Sequence, residues 1–141
     1  MKRFFSPAVC VVLAVSAPAG AGALHLTIER IRSGKDNTLI AVFDDAKAYE
    51  AIDFRSAKGF ASVPAQPGLI THEFPELSDG PSAVLLIHDE NGDEDLNFNG
   101  IQLLEGAGVS GARGRGDEPG FAQASVRPGN ATVHVFYDGK P

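Results

Sequence analysis

The segment HDENGDEDLNFNGI, His88 to Ile101, sets five carboxylates within seven residues, from Asp89 to Asp95. Asp89, Asn91, Asp93, Asp95 and Asn97 fall on alternate positions and spell D-x-N-x-D-x-D-x-N. Hard oxygen donors at this spacing suit Ca²⁺, which gathers roughly six to eight oxygens at about 2.3 to 2.6 Å. Crowded carboxylates also call for a counter-ion. Two unit charges 4 Å apart repel by about 4 kcal/mol at an effective dielectric near 20. Asp89, Asn91, Asp93 and Asp95 are the first candidates for side-chain ligands. Asn97 is a weaker one, and Glu105, further along the chain, can reach back as a distant ligand.

The loop departs from an EF-hand in two places. Glycine stands at the fourth position, Gly92, rather than the sixth, and the twelfth position is Gly100 where a bidentate Glu is needed. No helical pattern flanks it. The expected affinity is therefore that of extracellular modules, roughly 10⁻⁴ to 10⁻³ M. Mg²⁺ fits less well, because it demands near-ideal octahedral geometry. The competing reading is a metal-free Asx-rich turn, in which the same side chains bond their own backbone and water solvates the rest.

His88, Asp89, Asn91, Asn97, Gly100, Ile101, Glu105, Gly108 and Ser110 follow, in order, the pattern of the small exported bacterial proteins called domain of unknown function 2141. The chain resembles that family upstream as well, through LIAVFD and FPELSDGPSAVLLIHDEN, and downstream through PGFAQASV. Gln102 replaces the family's usual proline, and Ser82 stands where an aromatic residue is frequent; neither change touches the acidic positions. The resemblance implies an exported β-sandwich similar to prealbumin-like or carboxypeptidase regulatory-like domains. It implies no enzyme activity, since the family has no settled function.

Other chemistries are less well supported. GAGVSG, Gly106 to Gly111, satisfies G-x-G-x-x-G but lies in a glycine-rich loop without the βαβ unit that dinucleotide binding requires. Its glycines are expected to serve turns. The tripeptide RGD at Arg115 to Asp117 is short enough to recur by chance. A hydrolase using His88 and Asp89 is a distant alternative, with no G-x-S-x-G elbow around Ser110. His88 ends an apolar run and is expected to bond loop backbone. His25, His72 and His134 lack zinc-ligand spacing. With no Trp and only Tyr49 and Tyr137 as tyrosines, stacking platforms for sugars are scarce.

The elements that must position the acidic loop read as strands. LHLTIERI, Leu24 to Ile31, alternates apolar and polar residues as a strand with one buried face does. TLIAVFD and SAVLLIHD are apolar on both faces, which suits central strands. KGFASVPA, demoted by Pro64, and GLITHEF read as edges. FAQASVR and ATVHVFYD close the domain around a PGN turn. Asp45 to Phe54 holds a short helix or a crossover, with Ala46, Tyr49 and Ala51 as its stripe. The expectation is an all-β domain, a single sandwich of about seven strands of immunoglobulin-like or prealbumin-like type. One long irregular loop runs from Asp89 to Gly120, and the acidic motif opens it.

The chain of 141 residues has room for one domain. Lys2 and Arg3 precede the apolar run PAVCVVLAVSA and the small residues PAGAGA, the organisation of a secretory signal peptide. The run is too short for a membrane anchor. Residues 1–23 are thus expected to be removed and residues 24–141 to form the domain, exported to the periplasm or secreted. Cys10 lies within the leader, without the preceding pattern of a lipoprotein signal, so the mature domain forms without disulfides. Losing Lys2 and Arg3 leaves 10 basic against 18 acidic residues, a net charge of −8. That field disfavours nucleic acid and anionic lipid surfaces. The expected role is a non-catalytic binding module with Ca²⁺ in its acidic loop. Its partner would be an envelope or extracellular protein or ligand, and it would not insert in the membrane.

Overall fold

The computed structural model describes residues 21–78 and 80–138. Most of the leader expected over residues 1–23, Cys10 included, lies outside the described residues. No helix among those described is long and apolar enough to cross a membrane.

The chain is all-β with a few short helices. Its strands are β1 (Ala21–Ile31), β2 (Asn37–Phe43), β3 (Gly59–Pro64), β4 (Gly68–Ser78), β5 (Ser82–Asp89), β6 (Phe98–Asn99), β7 (Gln102–Leu103), β8 (Gly106–Val109), β9 (Ser125–Val126) and β10 (Gly129–His134). Three strands form one sheet in the order β10-β1-β4. A second sheet runs β3-β2-β5-β8, with β9 also pairing β5, and β6 and β7 make a small hairpin. Among the described residues the count of about seven strands is corrected to ten, in three sheets.

The both-face apolar runs have a direct cause. On β2 and β5, Ile40, Val42, Val84 and Leu86 join Leu24, Leu26 and Ile28 of β1, Phe74 of β4 and Val133 of β10 in one cluster. Ala41, Phe43 and Leu85 point the other way, onto Ala48 and Tyr49 of α1 (Ala46–Glu50) and Ala124 of α2 (Phe121–Ala124). Each strand therefore buries both of its faces, one against the other large sheet and one against helices. Asp45 caps α1, its carboxylate accepting from the Ala48 amide at 3.0 Å. The buried stripe is Ala48 and Tyr49 rather than the expected Ala46, Tyr49 and Ala51.

Three further expectations are corrected. FAQASVR is not one strand, because Phe121 packs edge-on against Tyr49 and the fully buried Ala124 lies three residues later. Residues three apart share a face of a helix but not of a strand, and four residues are too few to reveal that spacing in sequence. The PGN turn is shifted rather than centred on its glycine: the chain bends at Pro128, and Gly129 and Asn130 already pair with Leu24 and His25 of β1. The stretch from Asp89 to Gly120 is not one irregular loop: it holds the β6–β7 hairpin and β8, which pairs with β5. The glycines of β8 concealed its strand character. A Cβ at Gly108 would lie 2.3 Å from the His134 carbonyl oxygen, and one at Gly106 would lie 2.3 Å from the Tyr137 ring. These positions are glycine because the C-terminal segment crosses directly over them.

Candidate metal centre

The last residue of β5 starts the site. Register pairs Asn37 of β2 with Asp89, so the turn before β2 lies beside the acidic loop. Asp89 is 1% exposed, and its carboxylate accepts from the amides of Asp93 (3.2 Å) and Glu94 (2.9 Å). Gly92 turns the chain at φ +74°, with the Asp36 carboxylate 3.7 Å from where a Cβ would stand. The β6–β7 hairpin then returns the chain, and Glu105 enters just before β8.

One oxygen from each of Asp89, Asp93 and Glu105 lies within 4.8 Å of the others. Asn91 and Asn97 bind into the same group. The Asn91 amide nitrogen donates to Asp93 (3.1 Å) and to the Asn97 side-chain oxygen (2.9 Å), and the Asn97 nitrogen donates to Asp93 (2.8 Å). Asp95 is not in the carboxylate group; it is exposed and accepts from the Leu96 amide at 2.8 Å. Of the six candidate ligands, five therefore converge and Asp95 faces its own backbone.

Glu105 is the anomaly. It is 4% exposed, and neither carboxylate oxygen has a hydrogen-bond partner. Burial, with the charges of Asp89 and Asp93 beside it, pushes its pKa up to about 7. The amides of Asn91 and Asn97 oppose this shift without either closing a hydrogen bond on the carboxylate. Thr38 and Ser82 also bury unpartnered hydroxyls, but a hydroxyl loses far less hydration than a carboxylate. Asp93 is held below the usual carboxylate range, first by the hydrogen bond from Asn97.

His88 serves structure. It is 0% exposed, with Nε2 2.9 Å from the Lys35 carbonyl oxygen and Nδ1 2.8 Å from the Tyr137 hydroxyl. A carbonyl can only accept, so the proton sits on Nε2 and Tyr137 donates to Nδ1. The Tyr137 oxygen accepts in turn from the Arg32 amide at 3.1 Å. Both ring nitrogens are committed, so no lone pair remains for the base that a hydrolase at His88 requires. Tyr137→Phe removes the hydroxyl between these two groups and should cost about 2 kcal/mol by chemical denaturation. An unchanged unfolding midpoint would show that the hydroxyl does not tie the two segments together.

Beside the carboxylates lies a cleft of about 540 Å³, lined in part by Lys35, Asn97, Phe98, Leu104 and Glu105. Arg32 is also in its wall, its Nε donating to Glu90 at 2.9 Å with its guanidinium over the Tyr137 ring. Burial alone raises the Glu90 carboxyl, but the hydrogen bond and charge of Arg32 outweigh it and hold that carboxyl below its ordinary value. Sequence reading passed over Arg32, Lys35 and Asp36, whose place beside the acidic loop depends on β2 pairing with β5.

A family model described as uncharacterized protein conserved in bacteria (DUF2141) matches residues 26–135. No curated protein gives a significant match, and neither does any solved structure.

Proposed function

The chain belongs to the bacterial family DUF2141, and on that footing we propose that it is an exported, non-catalytic β-sandwich module whose acidic loop binds Ca²⁺. The two large sheets face one another across their shared apolar cluster, in the immunoglobulin-like or prealbumin-like manner. The leader ends at Ala23. Cleavage there spares every β1–β10 pair, which begin at Leu24, and removes only the Ala21–Ser78 and Gly22–Leu77 pairs from β1–β4. The mature protein works in the periplasm or outside the cell.

The observation that carries the Ca²⁺ reading is the Glu105 carboxylate, buried without a hydrogen-bond partner beside Asp89 and Asp93. A divalent cation supplies the missing partner and neutralises the crowding in one step. Asp89, Asp93 and Glu105 are the charged ligands. Asn91 and Asn97 turn their amide nitrogens to Asp93 in this structure and would offer oxygen to an ion once those amides rotate, and Asp95 stands outside as a source of negative field.

A second reading draws on the amide network. Asp93 is already bonded by Asn91, Asn97 and the Asp95 amide, as a metal-free turn would have it. The two readings separate by thermal melting. For a dissociation constant of roughly 10⁻⁴ M, 10 mM CaCl₂ stabilises the folded state by about 2.7 kcal/mol over EDTA. The paired change Asp89→Ala with Asp93→Ala removes that gain. Equal melting temperatures in CaCl₂ and EDTA would leave the metal-free turn standing.

A further inference from the structure

The ion and the cleft share residues. Asn91, Asn97 and Glu105 belong both to the carboxylate group and to the wall of the 540 Å³ cleft, a volume suited to a small molecule. On the Ca²⁺ reading above, one oxygen from each of the three carboxylates and one from each rotated amide make five, short of the roughly six to eight ligands of the ion. Further oxygens would reach the ion from the cleft, whose wall Asn91, Asn97 and Glu105 help to form.

We propose that the cleft binds a neutral polyhydroxylated ligand, a sugar residue, whose adjacent hydroxyls complete the Ca²⁺ shell. This rests on the Ca²⁺ reading. Charge selects neutrality. The cleft carries Glu90 and Glu105, with Asp89 and Asp93 beside it, against Arg32, Lys35 and the ion, which sum to zero. The whole mature surface stands at −8, so a further anion gains nothing on approach.

The walls fit the same ligand. Phe98 lines the cleft and is 56% exposed, offering an apolar ring to the C–H face of a pyranose, and Leu104 extends that surface. Lys35 and the Asn97 amide add hydrogen-bonding groups along the rim. Phe98 is one of nine phenylalanines and drew no notice beside the absence of Trp. Its place on the β6–β7 hairpin next to the ion gives it a use.

The test titrates methyl α-D-mannoside, methyl β-D-galactoside and methyl β-D-glucuronide into the purified protein, followed by amide NMR shifts in CaCl₂ and in EDTA. The expected result is a saturable shift of the Asn97, Phe98 and Leu104 amides with a neutral glycoside in CaCl₂ alone. Phe98→Ala should weaken that binding about tenfold, corresponding to about 1.4 kcal/mol, while the thermal response to Ca²⁺ is kept. Three outcomes overturn the proposal: glycoside binding that persists in EDTA, binding of the glucuronide alone, or no glycoside shift although Ca²⁺ still raises the melting temperature. In the last case the Ca²⁺ reading survives. Loss of the Ca²⁺ response itself overturns both.

Discussion

In EDTA, the protein carrying Glu105→Gln should be more stable than the unaltered chain at pH 8 and no more stable at pH 4. The reason is the elevated pKa of Glu105, about 7 against an ordinary 4.5. Between those values the folded chain holds a proton that the unfolded chain has released. Stability therefore falls as pH rises from 4.5 to 7, then levels off. The full loss is on the order of 3 kcal/mol, from about 1.4 kcal/mol per unit. Glutamine fills the same volume without a charge, and its amide can donate to Asp89 or Asp93. Chemical denaturation at four pH values reads the slope directly. A chelated, unaltered protein equally stable at pH 5 and pH 8 would show that Glu105 is not a strained buried carboxyl.

Calcium should invert that behaviour. Binding requires the ionised carboxylate, so uptake of the ion releases the proton and the stabilisation by CaCl₂ grows with pH. Glu105→Gln abolishes the gain at every pH. The same substitution thus strengthens the chelated protein and deprives it of its response to the ion. A metal-free turn predicts the first effect, which follows from the burial of Glu105 alone, but not the second. The loss of the Ca²⁺ response on this variant is what separates a ligand from a buried bystander.

The parts of this site that were legible in the sequence share a property. Asp89, Asn91, Asp93 and Asn97 lie on one short segment, so their spacing alone brings them together. Glu105 was visible as a distant carboxylate, but its burial is a tertiary fact: it depends on β8 entering the sheet beside β5. Asp95 shows the limit of spacing. It keeps the alternate-residue pattern and yet turns to the Leu96 amide, since Glu94 at φ +59° redirects the backbone just before it. Arg32 and Lys35 required the pairing of β2 with β5, which sequence periodicity does not supply.

The central strands were readable because β2 and β5 bury both faces, and continuous apolar runs record that environment faithfully. The closing elements were not. A four-residue window is too short to establish a helical period, so Phe121 to Ala124 carried no signal of its helix. The glycines of β8 were read as turn residues, whereas their cause at Gly108 is the approach of another backbone. Absence of a side chain leaves no periodicity to detect. The segment GAGV consequently looked like loop although it holds the fold's two edges together.

That reading of β8 makes the strongest prediction for stability. Gly108→Val should destabilise the protein by at least about 3 kcal/mol, the upper range for overpacking a filled site. At Gly108 the Cβ would meet the His134 carbonyl oxygen at 2.3 Å and the Val133 side chain at 3.3 Å. The oxygen belongs to β10, which is held in register to β1 from Leu24 to Glu29 and cannot retreat without loosening those pairs. Backbone, not a mobile side chain, is the obstacle. Gly114→Ala is the control, because no atom lies within 4 Å of its Cβ position and its change should be within about 0.5 kcal/mol. Displacing β10 also pulls on the Ala107–Phe136 bridge, where Ala107 donates at 3.0 Å and accepts at 2.8 Å. Tyr137 follows next in the chain, and with it the hydroxyl that His88 and Arg32 share. The valine variant should therefore lose affinity for Ca²⁺ as well as stability, because the strand that delivers Glu105 to the site is the one it disturbs. If Gly108→Val melted with the unaltered protein, the glycines of β8 would be incidental and the crossing of the C-terminal segment would not be what fixes Glu105 in place.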